Sequence, residues 1–408
     1  MNVKFLLNAA VILTSGFLFA QNSESAENRR NAREPTCSAP EPRYFMQGEP
    51  ISDCCPSGFN TPAAIDVCPK IECMDWQTNG FIDLSFLYWY VGEEGMSLAS
   101  DGVLNAGTAY YSPNMVNHRQ TFDYHPGFKL SLGVVGDHQW EIFAEYTWLR
   151  GKNTTHLSPS SNTTTAGTSA AFSGTPVLVV DDWFLQGTGF GQGLSASGLD
   201  SSWRYGVDIL DVGVSRPFYE GASLTVAPYT GLRALWIRQH MTVQLTEVAA
   251  LFSSGALAAS EPLQPIHSHN ISNCWGLGPK LGVEADFLIP MGFRVEGDAG
   301  VSLLYTRYTT VSHSEDQAST AFSSSPYQTS LNDYSCLRPI AELSLGAGWG
   351  SYFGGSAYHV DFSASYDFTM LWSQNMMRNL LDTVLTGTSA SPGDMYFHGL
   401  TLKGRLDF

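Results

Sequence analysis

From about residue 80 onward, apolar and polar side chains alternate in short runs separated by Gly-, Ser- and Thr-rich stretches. Successive side chains on a β-strand point to opposite faces, so each run predicts a strand with one oily and one polar face. The last run is the plainest: Leu400, Leu402, Leu406 and Phe408 share one parity, while Thr401, Lys403, Arg405 and Asp407 take the other. A one-sided strand that stops on an aromatic residue is the pattern of outer-membrane barrels. The hairpin before and after Pro290-Met291-Gly292 repeats it, with Trp275, Leu277, Leu281, Val283 and Phe287, then Phe293, Val295, Val301, Leu303 and Tyr305, on the apolar side. Lys280, Glu284, Asp286, Arg294, Glu296 and Asp298 all take the opposite parity.

Further runs lie at about 81–91, 121–135, 139–149, 203–214, 222–237, 337–349 and 358–372. In the fourth, Trp203, Tyr205, Val207 and Ile209 predict an outward face, and the phase is lost at Asp211, which predicts a bulge. Pro228 cannot donate a ladder hydrogen bond, so the fifth strand is expected to break there. Short and long connections alternate, as periplasmic turns and external loops do in such barrels. The fold class is therefore all-β, an antiparallel transmembrane β barrel of about ten strands, or of 12 to 14 if 105–116 and 168–185 supply more. Trp140 and Trp148 share a face; at ~3.4 Å per residue and a tilt near 40° they stand ~20 Å apart in height. That spacing suits two aromatic girdles around a ~25 Å apolar band.

Composition sharpens this reading. Charged residues make up only 14% of the 408, aromatics reach 12%, and no stretch after residue 20 forms a helical span. The formal charge of -17 leaves no footprint for a nucleic-acid partner, which needs clustered Lys and Arg. Residues 1–20, with Lys4 before an apolar core ending at Ala20, read as a secretory signal. Residues 21–75 lack any period and read as a Cys/Pro-rich periplasmic segment with little order, so the barrel is expected over 76–408. Cys37, Cys54, Cys55, Cys68 and Cys73 crowd into that segment, and Cys274 and Cys336 lie in the barrel. In an oxidising compartment these seven are disulfide candidates, with an odd thiol left over. A zinc site is the weaker alternative, because no pair of CxxC units is present. Cys274 and Cys336 share the lumen parity at similar heights and are expected to approach one another near the external rim, although an intervening strand sets them ~9.6 Å apart, beyond the ~7 Å limit for a direct bond unless the rim bends inward.

No cofactor, metal or catalytic group is expected. Gly187 to Gly193 lacks the flanking strand and helix of a phosphate loop. His267 and His269 share a face, yet two ligands alone are a weak metal signal. His359 and Asp361 fall beside a short turn, hence at the periplasmic end, away from where external substrates arrive.

The blocks Phe122-Asp-Tyr-His-Pro-Gly-Phe-Lys129, Tyr146-Thr-Trp-Leu149, Ala227-Pro-Tyr-Thr-Gly-Leu-Arg-Ala234 and Trp275-Gly-Leu-Gly-Pro-Lys280 resemble the Legionella-type major outer membrane protein family, pore-forming barrels also found in relatives of the chlamydiae. The resemblance covers about 76–408, and its motifs are structural rather than catalytic. It implies an integral outer-membrane protein with long loops at the surface of a Gram-negative-type bacterium. Its partners would be outer-membrane lipid, an assembly machinery that reads the C-terminal strand, and disulfide-linked envelope proteins or further copies of the chain. The function expected is diffusion of small hydrophilic solutes within a cross-linked envelope; the alternative is a non-conducting adhesin or structural barrel acting through its loops.

Parity assigns the lumen thirteen acids: Asp83, Asp123, Glu141, Glu145, Asp208, Glu284, Asp286, Glu296, Asp298, Glu342, Asp361, Asp367 and Asp407. Against them stand eight bases, Lys129, Arg204, Arg233, Lys280, Arg294, Arg338, Lys403 and Arg405, which leaves five negative charges. The alternatives are that these charges merely pair to fill a narrow barrel, or that along a water path they set an expected preference for cations, with Asp361 and Asp367 helping to set it.

Overall fold

The computed structural model describes residues 43–44, 79–105, 108–111, 116–136, 139–159, 175–180, 183–185, 194–221, 223–253, 256–259, 265–316, 327–331, 333–353, 358–387 and 392–408. Ten long antiparallel strands make the barrel: β1 (Asn79–Glu93), β2 (Tyr124–Val135), β3 (Glu141–Leu157), β4 (Leu194–Ser215), β5 (Leu224–Ser253), β6 (Ile266–Ile289), β7 (Phe293–Glu315), β8 (Tyr334–Phe353), β9 (Tyr358–Leu371) and β10 (Met395–Asp407). Each pairs with its neighbour in sequence, and β10 pairs back onto β1, with Arg405 opposite Asp83 and Leu402 opposite Phe86. Closure leaves no unpaired edge inside a bilayer, where an exposed backbone group would cost several kcal/mol. Beyond the last ladder pair, Phe408 and Gly80 exchange two backbone hydrogen bonds of 2.8 and 2.9 Å.

The alternation seen in the sequence becomes the two faces of the wall. Leu84, Leu277, Leu337 and Leu345 are 62%, 49%, 62% and 66% exposed, while inward neighbours such as Asp83, Arg294 and Asp361 are buried. Large apolar side chains facing out around a closed wall are what lipid contact requires. Trp140 and Trp148 lie on this outer face, Trp148 stacked on Phe128 with ring centroids 5.5 Å apart. The β6–β7 hairpin turns through Met291 and Gly292, both at positive φ (76° and 79°), a conformation that suits the right-handed twist of the flanking strands.

Three expectations are corrected. Among the described residues, the segments 105–116 and 168–185 add no barrel strands: Ser97–Asn105, Thr108–Tyr111, Asn117–Arg119 and Thr175–Val180 pair among themselves, with only a short contact between Thr175–Val180 and β4. Pro228 does not interrupt β5, which runs unbroken over 30 residues. Pro228 pairs with Val283 of β6, but the ladder to β4 ends at Tyr229, so its missing N–H falls where no partner strand asks for it. There is no bulge at Asp211. The β3–β4 and β4–β5 registers run straight through it, so Asp211 faces the lumen and Asp208 faces out. Register shifts lie instead in β7, where Asn273 is paired with Thr310 but Cys274 with Tyr308, and at the external end of the β4–β5 ladder, between Leu245 and Ala250.

Candidate functional site

The interior has two zones. In the periplasmic half, a cavity of about 260 Å³ is lined by Asp83, Glu141, Glu145, Glu284, Asp286, Glu296, Asp298, Glu342 and Asp367, nine carboxylates, against the six cations Lys129, Arg233, Lys280, Arg294, Lys403 and Arg405. Glu284 is inward by parity and yet exposed, so water reaches the chamber. The sequence-assigned residues Lys280, Glu284, Arg294, Glu296, Asp298, Glu342, Asp367, Lys403 and Arg405 all line it.

Most of these charges are tied together across strands. Arg233 on β5 donates from Nε and Nη2 to the two oxygens of Asp211 on β4, at 2.7 and 2.5 Å, and its Nη1 lies 2.7 Å from Glu342 Oε1 on β8. Lys280 on β6 completes the ring, 2.8 Å from Asp211 and 3.2 Å from Glu342. Arg294 on β7 pairs with Asp361 on β9 in a bidentate fork and lies 3.0 Å from Glu296 and 3.6 Å from Asp286. Arg405 on β10 gathers Asp407, Glu141 and Asp83 at 2.7, 3.3 and 3.6 Å and lies over the Phe81 ring. Such bidentate, multiply shared pairs are the geometry in which a buried ion pair offsets its desolvation. Asp367 accepts instead from three hydroxyls, Ser344, Thr401 and Ser365, at 2.6, 2.6 and 2.8 Å, and no cation in the chamber is its bonded partner among the described residues.

Above the chamber the inward residues turn apolar. Leu87, Trp89 and Val91 of β1, Trp203, Tyr205, Val207 and Ile209 of β4, Leu235 and Ile237 of β5, Leu304 and Tyr308 of β7 and Phe397 of β10 form one buried core. A helix between β9 and β10, α1 (Met376–Thr386), drops into it: Met376, Met377, Leu380 and Leu381 are buried, and the helix packs against β6 and β7 rather than the strands it connects. Asn375 caps α1 by accepting from the Arg378 N–H at 3.1 Å and anchors it by donating to the Glu94 carbonyl at 2.8 Å. Gly387 ends it at φ 69°, its N–H bonded to the Thr383 carbonyl. Trp183 and Phe184, from the loop after β3, are also buried here, and Trp183 donates to the Ser97 carbonyl. The interior at this level is packed side chain to side chain.

This zone explains the remaining corrections. Asp208, assigned to the lumen, faces out, where it accepts from Tyr146 Oη at 2.7 Å, Arg150 at 2.7 and 2.8 Å and Arg238 at 2.7 Å. Arg204 is likewise exposed on the outer face, and Asp123 lies before β2 begins, at the external rim. Arg338 does point in, but into the apolar layer, where its Nη2 meets the Met376 sulfur and its guanidinium lies 5.7 Å from the Tyr308 ring centre. Asp361 is wholly buried under Arg294 and offers nothing to a passing ion. Cys274 and Cys336 are free thiols: Cys336 lies opposite Thr306, and Thr306 opposite Gly276, so the cysteines occupy next-but-one strands two residues out of step. Cys37, Cys54, Cys55, Cys68 and Cys73 lie outside the described residues. His359 bonds Asp407 at the periplasmic end, 2.9 Å away, and His267 bonds Asp316 at 2.7 Å on the external extension of β6.

Among solved structures, the chain is similar to the outer membrane protease OmpT of Escherichia coli, with TM-score 0.34 and 10% identity over 82% of this chain and 99% of that one. It is also similar to the attachment invasion locus protein Ail of Yersinia pestis, with TM-score 0.20 and 8% identity over 81% and 99%. A third is the toluene transporter TodX of Pseudomonas putida, with TM-score 0.23 and 8% identity over 85% and 92%. No curated protein matches the sequence significantly. Residues 73–408 match the family described as the Legionella pneumophila major outer membrane protein precursor, which spans every strand of the barrel. With the lipid-facing wall, the closed ten-strand ladder and this match in agreement, the chain is an integral outer-membrane β barrel that belongs to the Legionella major outer membrane protein family.

Proposed function

We propose that the barrel conducts small hydrophilic solutes, with a preference for cations, through its charged chamber, and that the apolar layer around α1 closes the external end in the conformation described. The chamber carries this reading: it is wetted, and nine carboxylates against six cations leave an excess of three negative charges along its wall. In a narrow low-dielectric passage such an excess concentrates cations and repels anions. Asp367 is held by hydroxyls rather than by a bonded cation, so its charge, although the side chain is buried, adds to the negative potential of the wall. Reversal potentials of the refolded protein in a planar bilayer under a salt gradient are expected to have the sign of cation selectivity, and Asp367→Asn to reduce it. Anion selectivity would overturn the proposal.

One observation favours the other reading, a non-conducting surface barrel: ten strands leave room for side chains to fill the interior, and the core above the chamber does fill it. Absence of conductance from both the natural protein and a variant with the plug released would establish that alternative. We further propose that Cys37, Cys54, Cys55, Cys68 and Cys73 cross-link the barrel into the envelope. Envelopes extracted with detergent should then release monomer only after reduction; equal release without reductant would remove this role.

A further inference from the structure

The outer wall carries a second charged surface that the lumen does not explain. Arg150 and Lys152 on β3, Arg204 on β4 and Arg238 on β5 all have outward parity on three adjacent strands. Arg150 and Arg238 flank Gly206 from either side, and two residues further out Lys152 lies directly opposite Arg204, which in turn lies opposite His240. The bare Cα of Gly206 leaves the space into which the Arg150 side chain folds, since a Cβ there would stand 3.0 Å from its Cδ and Nε. The row just inside these cations is Trp148, Asp208 and Trp236, with Phe128 opposite Trp148 and Trp275 opposite Trp236. That row is an aromatic girdle, so the cations stand at the height of the outer-leaflet headgroups.

Asp208 is the carboxylate in the group, and it is occupied by Arg150, Arg238 and Tyr146. The next acid outward, Asp200, is paired with His156 at 2.5 Å. Lys152 and Arg204 have no ion-pair partner among the described residues, and Arg238 remains 62% exposed beyond its contact with Asp208. Like charges directly opposite one another on neighbouring strands destabilise a sheet. In a chain of net charge -17, four cations gathered on one external wall leave an uncompensated positive site. Arginine forks and a lysine in one plane match the multiple oxygens of phosphate groups.

We propose that this face, formed by Arg150, Lys152, Arg204 and Arg238 just beyond the aromatic girdle, binds the phosphorylated headgroup of an outer-leaflet glycolipid, with the acyl chains lying against the apolar wall below Trp148 and Trp236. The bound phosphates relieve the Lys152–Arg204 repulsion. Asp208 holds Arg238 in place to receive them, while Arg150, whose Nη groups are taken by Asp208 and by the Leu149 and Val207 carbonyls, adds its positive charge behind the site.

The test uses the full refolded barrel in detergent, titrated with a bisphosphorylated, acylated glucosamine disaccharide and followed by native mass spectrometry. The same lipid stripped of both phosphates, and inorganic phosphate alone, serve as comparison ligands. Binding is expected to weaken at least ~tenfold on removing the phosphates, and by a similar factor in a Lys152→Glu/Arg204→Glu variant, as loss of two charge-assisted contacts implies. Heat-modifiable electrophoretic mobility reports whether that variant is folded; if it is not, Lys152→Gln/Arg204→Gln takes its place. Equal binding of the dephosphorylated lipid, unchanged binding by the folded variant, or displacement of the lipid by millimolar inorganic phosphate would each overturn the proposal, the last by showing a site for free anions.

Discussion

A Leu380→Asp/Leu381→Asp variant is expected to pass current in a planar bilayer at a level at least ~tenfold above the natural protein. Both leucines are buried in the apolar layer that fills the external half of the barrel, and both belong to the one helix that enters it from the β9–β10 connection. Burying two carboxylates in that apolar core without partners costs several kcal/mol per charge, more than the dispersion and apolar burial that seat so short a helix. The wall itself does not depend on α1, because β9 and β10 are joined by a continuous ladder from His359–Asp407 to Leu371–Met395. Undocking α1 therefore exposes the charged chamber to the outside while the barrel stays closed on itself. Heat-modifiable mobility of the variant checks that the barrel has formed. Conductance equal to that of the natural protein, from a folded variant, would show that α1 is no barrier and that the layer beneath it seals the interior alone.

The second large effect concerns Arg233. An Arg233→Met variant is expected to lose about 3–5 kcal/mol of stability, because it leaves Asp211 and Glu342 buried with only Lys280 between them. Arg233 is 2% exposed and bridges β4 to β8 across the lumen, so solvent screening offers little relief when it is removed. Neutralising the whole ring should behave differently. Asp211→Asn, Lys280→Met and Glu342→Gln added to Arg233→Met leave no unpaired buried charge, and most of the lost stability should return. Denaturant unfolding of protein refolded into lipid vesicles, followed by tryptophan fluorescence, measures both. A loss under about 1 kcal/mol for the single variant would mean that water in the chamber already solvates the ring, and that it contributes little to holding the wall together.

The sequence by itself determined the wall. In β6, β7, β9 and β10 a charge on the lipid side would cost up to ~2–4 kcal/mol for Arg or Lys at the midplane, so charged and apolar residues are sorted by parity and the sorting can be read directly. The alternation of short turns with long connections then set the strand count at ten, and the lumen-facing charges from Lys280 to Glu342 followed from the same parity. The interior above the chamber was decided only by tertiary structure. Trp203, Tyr205, Val207 and Ile209 alternate as cleanly as any lipid-facing strand, but they face a protein core, and alternation cannot tell which of two apolar surroundings lies opposite. Taken as lipid-facing, that alternation turns β4 inside out, places Asp208 and Arg204 in the lumen, and requires a bulge at Asp211 that the continuous ladder does not have. The helix was nearer to legible: Asn375, then Met376-Met377, Leu380-Leu381 and Val384 at helical spacing, then Gly387, is a capped amphipathic segment. That it folds inward onto β6 and β7 is a different matter, because docking depends on strands more than sixty residues away in sequence, whose apolar inner faces exist only once the barrel has closed.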